Sequence, residues 1–181
     1  AQAPPTPVLP TVADETVDID TLIQQGTKKE VPLISIAEYH RLQSVYFKRQ
    51  GRDPPIAHRP TREQMSAFKY LIEKKDDTYV DMAVWLPHGD RNQARKKFNG
   101  MMFNAKGELV LTEFFGPANY DEWLESFMLF RVACISFELV EPETLDEYAR
   151  MIHRASIKYP DAWAIVYQCD TRTRREHTGR V

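Results

Sequence analysis

Residues 79–123, YVDMAVWLPHGDRNQARKKFNGMMFNAKGELVLTEFFGPANYDEW, decide the fold. In the first eight, Val80, Met82, Val84 and Leu86 alternate with Tyr79, Asp81, Ala83 and Trp85. This is the period of two of a β-strand with unlike faces, and Pro87 and Gly89 end it. The runs 98–103 and 108–115 flank Asn104-Ala105-Lys106-Gly107, a short turn-forming loop with Gly where positive φ is needed, and predict a β-hairpin. Gly116-Pro117 then breaks the chain. Beyond it Trp123, Phe127, Phe130, Cys134 and Phe137 recur at helical spacing, the strongest core signal in the sequence, over a helix at 119–139.

Working outward, helix starts show as a polar residue followed three positions later by Glu or Gln, the reciprocal cap that satisfies two orphan N–H groups. Ser35 with Glu38, Thr61 with Gln64, Asn119 with Glu122 and Thr144 with Glu147 fit this spacing. The first two open helices at 35–50 and 61–75. Gly51 suits the left-handed residue past the end of the first. The last of the four opens a helix at 144–158 with Leu145, Tyr148, Ile152 and Ala155 inward. Pro160 suits the first turn of a final helix at 160–176, where a missing N–H costs nothing. The first thirty residues, rich in Pro, Thr, Val and acidic groups, read as an extended or disordered tail or linker. The expectation is therefore an α+β domain over 31–181: a small antiparallel sheet of about three strands (79–86, 98–103, 108–115) covered on one face by helices.

Composition narrows the function classes without choosing one. A chain of 181 residues with 43% hydrophobic and 28% charged side chains holds one core of ordinary size. A net charge of -2 supplies no strong positive field for nucleic acid. Cys134 and Cys169 lack C-x-x-C spacing, which argues against a disulfide scaffold or zinc ribbon and for reduced thiols in an intracellular protein, cytoplasmic or nuclear. No run reaches the roughly twenty apolar residues of a membrane span. An Ala rather than a Met at position 1 is expected of a processed chain or a fragment.

Chemistry-bearing residues are scattered. Asp81, His88 and Asp90 could form an acid–base pair or a metal site of a hydrolase or nuclease, but a His-x-Asp at a strand end is more often a turn with a surface His. His153 and His177 sit beside arginines as exposed polar positions. Cys134, on the aromatic stripe, behaves as a small hydrophobe. No G-x-G-x-x-G or P-loop pattern occurs. Two basic clusters remain: Arg91, Arg95, Lys96 and Lys97 before the hairpin, and Arg172, Arg174, Arg175 and Arg180 at the end. With aromatics nearby they could hold RNA or single-stranded DNA without sequence preference, or they could be ordinary solvated faces.

The run Pro60-Thr61-Arg62-Glu63-Gln64, Tyr79 to Trp85, Gly116-Pro117, Trp123, Phe130-Arg131, Leu145 with Tyr148, Tyr159-Pro160-Asp161-Ala162-Trp163 and Asp170 resembles a domain recurring in dinoflagellate proteins, some from retroelement-type reading frames. Gln24-Gln25-Gly26 and the loop from Tyr46 to Pro55 fit it too, so the similarity covers most of the chain after residue 17. The resemblance implies one part of a longer polyprotein and carries no assigned activity. The expectation is a non-enzymatic interaction or packaging module with no catalytic residue, cofactor or metal. Nucleic-acid contact would fall to Arg91, Arg95, Lys96, Lys97, Arg172, Arg174 and Arg175. The alternatives are a pure protein–protein scaffold, or a metal-dependent hydrolase using Asp81, His88 and Asp90.

Overall fold

A computed structural model describes residues 16–18, 30–74, 82–85 and 97–178. The architecture is α+β, with five α-helices among the described residues. Strand β1 (Thr16–Asp18) pairs antiparallel with β2 (Glu30–Pro32), Val17 opposite Val31. Helices α1 (Ile36–Gln50) and α2 (Arg62–Lys74) follow. Next comes a hairpin of β3 (Lys97–Phe103) and β4 (Leu109–Phe115), and then α3 (Tyr120–Ser136), α4 (Pro142–Lys158) and α5 (Trp163–Thr178).

The sheet departs from the expected three strands. Within 79–86 the described residues, Met82–Trp85, form a 3₁₀ turn. Three residues per turn bring Met82 and Trp85 to the same side, and both are fully buried. The run Met82-Ala83-Val84-Trp85 is apolar at every position and so fits either spacing, which explains the difference. Among the described residues the hairpin therefore stands as a two-stranded sheet. The second strand pair forms between Thr16–Asp18, within the stretch expected to be a tail, and Glu30–Pro32.

The helix ends show which capping expectations the backbone uses. Thr61 and Gln64 close a full reciprocal box: Gln64 N–H donates to Thr61 Oγ1 at 3.2 Å and Thr61 N–H donates to Gln64 Oε1 at 2.9 Å. Ser35 Oγ accepts from Glu38 N–H at 3.0 Å, while the Glu38 carboxylate engages Arg41. Asn119 Oδ1 accepts from Glu122 N–H at 2.9 Å. Gly51, at φ 70, ends α1 and donates its N–H to Phe47 O. Two expectations are corrected. Helix α4 begins two residues before Thr144, with Pro142 in the first turn after Glu141. Pro160 lies in the turn before α5, whose first carbonyl acceptor is Ala162.

Helix α3 is the centre of the fold. Every residue from Leu129 to Ser136 is buried, the pattern of a helix enclosed on all sides. Trp123 stacks on Phe127 with ring centroids 4.6 Å apart, and Phe68 and Trp85 meet Phe130 edge-on. The chain leaves α3 through Glu138 at φ 56, with Leu139 N–H donating to Cys134 O at 3.0 Å, so a left-handed residue closes the helix.

The hairpin lies on α5 by one face only. Gly100 permits this: a Cβ there would run into the Ala164 Cβ of α5. Tyr167 OH donates to Phe115 O at 3.2 Å and Trp163 Nε1–H donates to Pro117 O at 2.9 Å, so α5 also holds the base of the hairpin.

Candidate functional site

Two arrangements of side chains stand out, one inside the fold and one outside. The inner one is centred on Asp170, in the second turn of α5 and 1% exposed. Trp123 Nε1–H reaches its Oδ2 at 3.1 Å and Tyr148 OH donates to Oδ1 at 2.7 Å. Arg174, one turn on, donates from Nε at 3.0 and 3.1 Å and from Nη2 at 2.8 Å. An indole, a phenol and a guanidinium from three helices thus converge on one buried carboxylate, the arrangement such a charge requires. Burial first, and the Asp170 charge second, hold the Tyr148 phenol well above its ordinary value. The cluster's acceptor positions serve the fold, tying α3, α4 and α5 together.

Arg131 forms a second tie. It is buried on α3, and its Nε and Nη2 grip Asp146 of α4 at 2.6 and 3.0 Å in a two-point contact. Cys134 is buried nearby, and desolvation pushes its thiol far up, so it stays protonated. Cys169 is exposed at the rim of a cavity of about 450 Å³ between α4 and α5, lined chiefly by Met151, Ile152, Ala155, Ile165 and Val166. His153 is exposed and stacks on Tyr120 at 4.7 Å.

Asp81, His88, Asp90, Arg91, Arg95 and Lys96 lie outside the described residues, as do Arg180 and the side chains of Arg175 and His177. Each of the remaining basic candidates has a carboxylate partner. Lys97 bridges Glu113 at 3.0 Å and lies 5.2 Å from the centre of the Phe115 ring. Arg172 bonds Glu176 along α5 at 2.8 Å. Arg174 was expected to face a phosphate, but it is 5% exposed and its guanidinium is taken by Asp170. Among the described residues no group of three or more His, Cys, Asp or Glu could hold a metal ion, and no helix is long and apolar enough to cross a membrane.

The outer arrangement is the second face of the hairpin. The register sets Phe103 opposite Leu109, Met101 opposite Leu111, Asn99 opposite Glu113 and Lys97 opposite Phe115. Side chains on this face alternate with those packed towards α5. Met101, Phe103, Leu109 and Leu111 are between 41% and 70% exposed, and they are contiguous over two rows. Sequence reading found the hairpin but not this face. The available signal was that β4 is apolar at odd and even positions alike, the mark of a strand covered on both sides.

Compared with known protein families, curated proteins and solved structures, the chain matches none. The fold defines the class, an α+β protein, and the site defines a surface.

Proposed function

We propose that this chain is a non-enzymatic interaction module that binds another protein chain through the outward face of the β3–β4 hairpin. One observation carries the reading: four large apolar side chains, Met101, Phe103, Leu109 and Leu111, lie exposed and contiguous on a regular two-stranded surface. The role in a longer, mobile-element-related protein implied by the resemblance is a narrower form of the same reading. Nucleic-acid contact is the less favoured form, because Lys97, Arg172 and Arg174 each already have a carboxylate within hydrogen-bond reach that a phosphate would have to displace.

The test is a photo-crosslinking amino acid at position 111, and in parallel at exposed position 143 on α4 as a control. Discrete cross-linked protein species from 111 that are missing from 143 are expected. A blank at 111, together with salt-dependent anisotropy of labelled single-stranded RNA that is lost on Lys97→Glu, would replace this reading with the nucleic-acid one.

A further inference from the structure

We infer that the partner on the hairpin face is a second copy of this chain, packed face to face across a two-fold axis lying between the sheets and perpendicular to the strands. The inference rests on the reading of that face as an interaction surface and adds the identity of its occupant.

Charge is the first argument. The face carries one cation, Lys97, and one anion, Glu113, already bridged to each other at 3.0 Å. It therefore has no net charge with which to select a strongly basic or acidic partner. An apolar centre with a balanced rim is complementary to itself, as an isologous dimer requires.

Register is the second. An axis crossing between the Met101–Leu111 and Phe103–Leu109 rows lays each of these rows over the other in the partner, so apolar meets apolar throughout. Counting on by the strand period, the Asn99–Glu113 row then falls over the partner's turn, Asn104 to Glu108, where Lys106 is exposed. Glu113 of each copy then lies by the turn of the other, which carries Lys106 and Glu108, so the rim is balanced there too. The two bodies, attached at the hairpin bases, fall at opposite ends and do not collide. An axis along the strands would instead bring the two bodies to the same end.

Area is the third. Four large side chains at these exposures leave roughly 400 Å² of apolar surface, and apolar atoms make up a little over half of a typical interface. The whole contact then buries roughly 700 Å² per copy, at the lower edge of the ~800 Å² of standard interfaces. That is enough for a concentration-dependent dimer, whose strength the packing of the four apolar side chains sets rather than the area.

Sedimentation velocity and light scattering on the whole chain, from about 1 to 300 μM, decide it. The expected result is a weight-average mass rising from 21.1 kDa towards twice that value. Leu111→Lys, at a position 70% exposed and so tolerant of change, should hold the single-chain mass throughout with an unaltered circular dichroism spectrum. Lys106→Glu, which sets an anion against Glu113 of the other copy, should weaken the dimer severalfold. If Leu111→Lys does not fold, Met101→Gln is the second probe of the same row. A single-chain mass at every concentration, or a dimer indifferent to both apolar variants, overturns the inference. A monomeric chain that still gives discrete cross-links from position 111 sinks only the second copy, whereas a monomeric chain with none sinks the interaction reading as well.

Discussion

A carboxylate that accepts from Trp123, Tyr148 and Arg174 at once is a single point on which three helices depend. Asp170→Asn should cost about 3 to 5 kcal/mol in denaturant unfolding, because it removes the carboxylate charge that Asp170 sets against the buried Arg174 guanidinium. Replacing both partners, Asp170→Leu with Arg174→Met, should recover much of that, since the desolvation of two charges disappears with them. Tyr148 sets a pH limit from the same place. Its phenol is raised above the ordinary value of 10.0, so the folded state holds that proton more tightly than the unfolded chain does. The stability it contributes is complete below about pH 10 and is lost as the pH rises beyond, so the denaturation midpoint should fall steeply in alkali and less steeply in Tyr148→Phe. Tyr39 and Tyr120, raised chiefly by burial, add to the same slope. None of this was legible from spacing, because Asp170 lies 22 residues from Tyr148 and 47 from Trp123, and no local period reports on such a meeting.

The ends of the elements were legible where a side chain closes them. Ser35, Thr61, Asn119 and Gly51 each leave a residue type at a fixed offset and each caps its helix end. Thr61 with Gln64 closes the reciprocal box, whereas the Glu38 carboxylate turns to Arg41 and Glu122 to the Ala118 N–H. The end of α3 carries no such mark, since Glu138 takes the left-handed place where glycine is the usual occupant. That is why the helix read as running to 139. Glu138→Gly should therefore be one of the few substitutions that stabilise, by about 0.5 to 1 kcal/mol in thermal or urea unfolding, the relief of strain exceeding the added freedom of the unfolded chain. Gly100 is the opposite case. Ala at this position should cost about 1 to 3 kcal/mol, because β3 and α5 would have to part to admit one methyl group. The 3₁₀ turn at Met82–Trp85 was hidden for another reason: a four-residue run that is apolar at every position fits both templates, whichever residues turn inward.

At the scale of the molecule, the aromatic stripe on α3 made the core legible, and the structure places it at the centre. Trp123→Ala should lower stability by about 3 to 5 kcal/mol. Far-ultraviolet circular dichroism and the fluorescence of the remaining tryptophans, Trp85 and Trp163, should shift together, because α1, α2, α4 and α5 are joined to α3 directly or through one another. The candidate surface was much less legible than the core. Exposure is a property of what fails to pack, and the same Leu, Met and Phe residues of the hairpin would have read identically beneath a second layer.

The hairpin turn carries one more consequence. Residues 105–109 are exposed, and Asn104 closes the turn on itself, its Oδ1 accepting from the N–H groups of Lys106 and Glu108 at 2.9 Å each. The attachments to the body lie at mid-strand, at Gly100, and at the far end, at Phe115 and Pro117. Foreign sequence spliced between Ala105 and Gly107 would thus lengthen a tip that the core does not use, and the fold should carry an inserted peptide there at little loss. A tag or reporter written there should leave the fold intact while standing between two copies packed on this face.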